Sequence, residues 1–299
     1  MTSLLTSACS QTSSEPACAK RLLLRDCLEH WLREAQHGEV DTGRYRCRYV
    51  VWGRGPTLVL IPGMAMDSLG FVMLMSRLQT HFRCVSFDLP NGEADGARLM
   101  TYRHADHVAD LFALLDHLAI RQCGLLGSSF GSTIALSALH AQPGRFSHGL
   151  LQGGFARRAL AWAEVLAGSF ARFLPGTLTP WPFARPLLAY NQRASLVARE
   201  PAVWNFFVEQ NLRMPLRALA GRALMIHQLD LRSMLPTIKQ PMLMVCGDRD
   251  PLVGKACEAE LKQGLPLAAR AEIEDCGHLP QLTHPEVFAE VVKQFLQAP

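Results

Sequence analysis

The sequence has no apolar run approaching the roughly 18 to 20 residues needed to cross a bilayer, so it does not read as an integral membrane protein. It also lacks a strong charge of either sign. Thirty Lys+Arg stand against 26 Asp+Glu, a net of +4 that is too small and too dispersed for the basic face that nucleic acid requires. Nine cysteines are scattered along 299 residues with no C-x-x-C pair. That excludes a disulfide framework and a zinc ribbon, and points to thiols kept reduced in the cytoplasm. Leu5-Thr6-Ser7-Ala8-Cys9 has the look of a lipoprotein cleavage box. No basic start or apolar segment precedes it, so no signal peptide is expected.

What is present is apolar content. Hydrophobic residues make up 49% of the chain and charged ones only 19%, which is globular composition rather than disordered. The Ser/Thr-rich first 18 residues read as a loose tail. Leu24, Cys27, Leu28, Trp31, Leu32 and Ala35 then fall on one helical face, predicting an N-terminal helix over 19–38 that stops at Gly38 and docks on the core.

From Tyr45 onward short apolar runs alternate with longer amphipathic ones. Tyr49–Trp52, Thr57–Ile61, Arg83–Phe87, Cys123–Leu126, Leu150–Leu151, Pro241–Val245 and Ala269–Ile273 read as strands. The helical stripes lie around Val108–Leu118, Thr133–Leu139, Cys257–Leu261 and Val287–Leu296. This rhythm predicts an α/β fold, a mostly parallel sheet flanked by helices and made from 39–154 and 237–299. Residues 155–236 break it. They read as a helical insertion holding Trp162, Trp181 and Trp204, with ten arginines and no lysine against three glutamates and one aspartate. Its net of +6 leaves −2 on the rest of the chain.

Gly127-Ser128-Ser129-Phe130-Gly131 is a G-x-S-x-G placed where a predicted strand gives way to a predicted helix. A nucleophile on so sharp a turn has a strained backbone, and the residues two before and two after it must be nearly free of side chain. The pattern alone is weak; its position after Cys123–Leu126 and before Thr133-Ile-Ala-Leu gives it force. A serine hydroxyl needs a base and an orienting carboxylate, which in this arrangement follow it as acid and then histidine. The late strand ending at Gly247 offers Asp250, beyond the turn, and Asp248, on the turn itself; Asp250 is the better placed. After the last strand, Gly277-His278 supplies the histidine, whereas His284, before Pro285, reads as a helix boundary. Donors for a developing oxyanion are expected from the backbone N–H of Phe130 and, in the Leu60-Ile-Pro-Gly-Met64 loop, from that of Met64. His104-x-x-His107 lacks a third ligand and reads as a pair of solvated side chains, so neither metal nor cofactor is implied.

Taken together, Ile61-Pro-Gly, Phe87-Asp-Leu-Pro90, the elbow at Ser129, Gly247-Asp-Arg-Asp250-Pro and Gly277-His278 resemble the α/β-hydrolase superfamily over about Tyr45–Phe295. The resemblance implies that Ser129, Asp250 and His278 act as nucleophile, acid and base, and that the 155–236 insertion caps the site. Two positions depart from the common pattern: Pro62-Gly63 replaces His-Gly, and Ser132 replaces a second glycine after the elbow. Serine at the elbow excludes the dehalogenases and epoxide hydrolases, which carry aspartate there. The expected activity is hydrolysis of a carboxylic ester of a small or medium-sized, largely apolar molecule, with the cap arginines suggesting tolerance for an anionic one. Rival readings are a non-catalytic ligand-binding protein on the same scaffold, or a hydrolase of amide, peptide or C–C bonds.

Overall fold

The computed structural model describes residues 23–192 and 201–297. The Ser/Thr-rich tail, the first residues of the 19–38 helix, Cys9 and Cys18 lie outside them. In chain order the elements are α1 (Leu24–Glu34), β1 (Gln36–Asp41), β2 (Arg46–Trp52), β3 (Thr57–Ile61), α2 (Val72–Leu78), β4 (Arg83–Phe87), α3 (His104–His117), β5 (Cys123–Ser128), α4 (Phe130–Ala141) and β6 (Phe146–Gln152). Then follow α5 (Trp162–Ala171), α6 (Ala184–Gln192), α7 (Pro201–Arg213) and α8 (Leu216–Gln228). The chain closes with β7 (Met242–Gly247), α9 (Lys255–Gly264), β8 (Ala269–Ile273), α10 (Pro280–Thr283) and α11 (Pro285–Gln297).

The eight strands form one sheet in the order β1-β2-β4-β3-β5-β6-β7-β8. β2 pairs antiparallel with both β1 and β4, and every other pairing is parallel. Side chains alternate across a strand, and β3 shows the consequence. Val59 and Ile61 pack into a core with Leu111 and Leu114 of α3, Ile134 of α4 and Leu261 of α9. Leu58 and Leu60 pack on the other face with Cys27 and Trp31 of α1, Leu74 of α2 and Val292 of α11. Burial on both faces is why the central strands read as continuous apolar runs.

The N-terminal reading needs correction at two points. α1 ends at Glu34, and Gln36–Asp41 is an edge strand rather than the end of a helix. Gly38 is no stop signal; it lies opposite Tyr49, whose ring fills the space a Cβ would take. Leu32 is 77% exposed and does not join the docked face, which is made by buried Leu24, Cys27 and Trp31 with Leu28 and Ala35 partly buried beside them. Trp31 meets Trp52 edge to face with centroids 5.8 Å apart.

α5 to α8 occupy the stretch between β6 and β7, as the break in rhythm predicts. The parallel strands β3, β5, β6, β7 and β8 all end on one rim of the sheet. Register brings their ends together: Ile61 sits beside Gly127, Ser128 beside Gln152, and Gln152 beside Val245.

Candidate active site

Ser129 stands between β5 and α4 with φ 51° and ψ −116°, in a region that an L-residue occupies only under strain. The two glycines make this turn possible. A Cβ on Gly127 would overlap the Gly131 carbonyl, and one on Gly131 would overlap the Ile61 carbonyl and lie 2.7 Å from that of Pro62. Ser129 N–H donates to the Gln152 carbonyl at 2.8 Å, and the Ser132 hydroxyl donates to the Ser129 carbonyl at 2.6 Å. Ser132, the departure from a second glycine, therefore braces the elbow.

His278 is buried, and its Nδ1 lies 2.7 Å from Asp250 Oδ2. The second carboxylate oxygen of Asp250 accepts the N–H groups of Leu252 at 2.8 Å and Val253 at 3.0 Å. Burial works to raise the Asp250 pKa, but the His278 hydrogen bond and charge together with those two backbone donors hold it below the ordinary carboxylate value. An ionised Asp250 fixes the proton of His278 on Nδ1 and leaves Nε2 as an acceptor. Asp248 is engaged elsewhere, since its Oδ1 accepts the Cys276 N–H at 2.9 Å and ties the two loops together. Gly153, at φ 53°, sits against the pair, and a Cβ there would lie 2.8 Å from the imidazole Cε1.

Ser129 and His278 line one cavity of about 320 Å³, with Gly63 and Met64 from the loop after β3. The rest of its wall is mostly apolar and comes largely from the insertion, including Phe155, Leu188, Phe207 and Ile226. Polar groups are few. Arg158 is held by its Nε on the Leu252 carbonyl at 3.0 Å, Glu164 lies at the start of α5, and buried Asn211 donates to the Phe207 carbonyl at 2.9 Å. Phe130 is the first residue of α4, so its N–H has no intrahelical acceptor.

The loop carrying Met64 is held from both sides. Asp88 accepts the Ser68 N–H at 3.0 Å and its hydroxyl at 2.7 Å. From α8, the fully buried Arg222 donates to the Met64 carbonyl at 2.6 Å, the Pro90 carbonyl at 2.8 Å and Asn91 Oδ1 at 2.9 Å. Burial lowers its pKa to about 10. Sequence reasoning treats the insertion's arginines as solvated or substrate-facing, and this one is neither. Gln152 also escapes it. This side chain is 1% exposed, accepts the Ser128 hydroxyl on Oε1, and donates from Nε2 to the His278 carbonyl at 2.9 Å.

His104 and His107 are not solvated either. His107 is 2% exposed, and His104 Nε2 lies 2.9 Å from the Thr133 hydroxyl. That hydroxyl already donates to the Phe130 carbonyl, so His104 is the donor to it, a neutral Nε2–H tautomer.

A family model described as alpha/beta hydrolase fold matches residues 56–285. Among curated relatives, the chain is 27% identical over 263 residues to a pimeloyl-[acyl-carrier protein] methyl ester esterase of Aeromonas salmonicida, covering 82% of this chain and 97% of that one. It is 29% identical over 266 residues to the protein of the same name from Xanthomonas campestris pv. campestris, covering 83% and 98%. A solved structure of a hydrolase from Pseudomonas aeruginosa superposes with a TM-score of 0.78 at 21% identity, covering 88% of this chain and 99% of the other, which is a likeness of fold. Since the matched region takes in the sheet from β3 onward, the elbow and the His278 loop, the chain belongs to the alpha/beta hydrolase fold family.

Proposed function

We propose that this hydrolase is a serine carboxylesterase acting through an acyl-enzyme, with Ser129 as nucleophile, His278 as base and Asp250 as the acid that orients it. The observation that carries the reading is the 2.7 Å bond from His278 Nδ1 to Asp250, with His278 lining the same cavity as Ser129 on its strained turn. Ser129 Oγ attacks the acyl carbon while His278 Nε2 takes its proton. The N–H groups of Phe130 and Met64 stabilise the tetrahedral oxyanion, and His278 returns the proton to the departing alkoxide. Water activated by the same imidazole then releases the acid.

The insertion acts as a cap, and its apolar wall in a cavity of about 320 Å³ supports an acyl or aryl group of moderate size. The relatives' names single out a methyl ester as the bond to test first. Five cysteines are buried and seven are free among the described residues, which supports action in the reducing cytoplasm.

The test is labelling by a fluorophosphonate probe together with turnover of methyl, ethyl and aryl esters of graded acyl length. Fast labelling and ester turnover, both lost in Ser129→Ala, support the reading. Slow labelling that is the same in wild type and variant would return the chain to the ligand-binding alternative. Labelling with turnover only of amides or C–C substrates would move it to another acyl hydrolase.

A further inference from the structure

The insertion carries an apolar surface that the proposed ester chemistry does not use. Along α5, Trp162, Leu166 and Phe170 recur at a spacing of four, and Phe173 continues the row three residues on. That spacing sets them on one side of the helix. They face solvent: Trp162 is 80% exposed, Phe170 68% and Phe173 61%. The inward side of α5 is nearly featureless, with Gly168 packed on Leu224 of α8. Trp181 and Phe183, just before α6, are exposed as well. Large exposed aromatic side chains gathered on one helix mark a surface that meets something apolar.

The charges around the row are cationic. The Arg172 guanidinium stands 5.6 Å over the Phe173 ring, Arg217 donates to the Phe173 carbonyl at 3.3 Å, and exposed Arg185 follows Phe183 by two residues. The acid on α5, Glu164, is engaged in accepting the Ala161 N–H at 2.8 Å. An exposed helix face carrying Trp and Phe with arginines beside it matches the headgroup region of an anionic membrane: the rings enter the acyl boundary and the guanidiniums meet phosphates. The row also lies on an element that walls the cavity, since Leu160 and Glu164, two residues before and after Trp162, line the cavity of Ser129 and His278 from the other side of α5.

We infer that the outward face of α5 docks on an anionic lipid surface, so that the cavity mouth opens at the membrane where apolar esters collect. The binding arm of the test requires no ester turnover, so it fails or succeeds independently of the proposed reaction.

The experiment is co-sedimentation of the full chain with phosphatidylcholine vesicles and with vesicles containing 30% phosphatidylglycerol (about that fraction is enough to give a strong negative surface potential). Expected is association with the anionic vesicles that weakens with salt, accompanied by a blue shift of Trp fluorescence. Trp162→Ser with Phe170→Ser, and separately Arg172→Glu with Arg185→Glu, are each expected to weaken binding roughly tenfold or more. Turnover of a soluble short-chain ester and the melting temperature should be unchanged in both. Absence of vesicle binding, equal binding to neutral vesicles, or binding untouched by the aromatic pair overturns the inference. So does a dimer of this chain, or a complex with an acidic soluble protein, that the aromatic pair disrupts while vesicles fail to bind.

Discussion

Arg222 reaches from α8 to the loop after β3 and donates to the Met64 carbonyl at 2.6 Å, with no carboxylate in contact among the described residues. A buried cation costs several kcal/mol unless its hydrogen bonds replace water, and here three oxygens do so for the two terminal nitrogens, while buried Nε makes no hydrogen bond among the described residues. Fixing the Met64 carbonyl also fixes the backbone that aims the Met64 N–H, the proposed oxyanion donor. Arg222→Met should therefore lower kcat by about ten- to a hundredfold with a smaller change in KM. Steady-state kinetics on one ester, with circular dichroism to confirm folding, checks this. An unchanged kcat would mean that the arginine only holds α8 in place.

Gln152 links the elbow to the histidine loop through Ser128 and the His278 carbonyl. Leucine there fills similar space but orphans both partners in a buried setting. Gln152→Leu should cost about 2 to 4 kcal/mol of stability. It should also reduce kcat, because the His278 backbone loses its anchor. Urea unfolding measures the first and ester turnover the second, whereas Gln152→Glu restores only the acceptor half.

Sequence legibility followed the geometry of strand ends. Ser129 and Asp250 stand out because each lies just past a buried strand with a clear apolar run, whereas His278 follows the alternating, half-exposed β8 and is marked by Gly277 and by chain order. Asp248, on the turn itself, accepts the Cys276 N–H and so closes the loop, while Asp250, beyond the turn, meets His278. β1 is hard to read because the edge strand QHGEVD offers the core a single apolar side chain, Val40, too little for a period-2 signal. Arg222, Gln152, His104 and His107 escaped for a related reason. Polar residues become buried only when partners distant in sequence arrive to satisfy them, and no local pattern announces those partners.

Gly131 allows α4 to begin directly against the end of β3. An alanine methyl there would run into the Ile61 and Pro62 carbonyls, backbone atoms with no freedom to retreat. Gly131→Ala should destabilise by about 3 kcal/mol or more, and any folded fraction should label poorly with the fluorophosphonate probe. Gly144→Ala, where nothing lies within 4 Å of the new atom, is the control and should change neither stability nor labelling.

Asp250 binds the imidazole at Nδ1, and in the proposed mechanism this leaves Nε2 to accept the Ser129 proton. Asp250→Asn keeps the shape and reverses the hydrogen-bond preference, so His278 would carry its proton on the wrong nitrogen. The expected result is a loss in kcat of about 10³ to 10⁴ with little change in KM. Asp248→Asn should act on loop stability and leave kcat within a few-fold. Equal losses in the two variants would remove the distinction drawn between them.

The buried histidines set an acid limit on stability. Burial lowers the His104 pKa from 6.5 to about 4, and burial with the Arg222 charge takes His107 well below its ordinary value. Below pH 6.5 the unfolded chain binds protons that the folded chain refuses, so unfolding becomes easier as pH falls from 6.5 toward 4. For His104 alone the loss reaches roughly 3 kcal/mol across that window. Asp250 acts elsewhere. Its depressed pKa gives stability that is present above 3.8 and disappears only as pH drops through its lower folded value. Urea unfolding at pH 7, 6, 5 and 4.5 should show a steeper decline in the wild type than in His104→Gln, which keeps a donor for Thr133 but cannot be protonated in this range. Parallel profiles would mean that His104 is charged, or exposed enough to charge, in the folded protein.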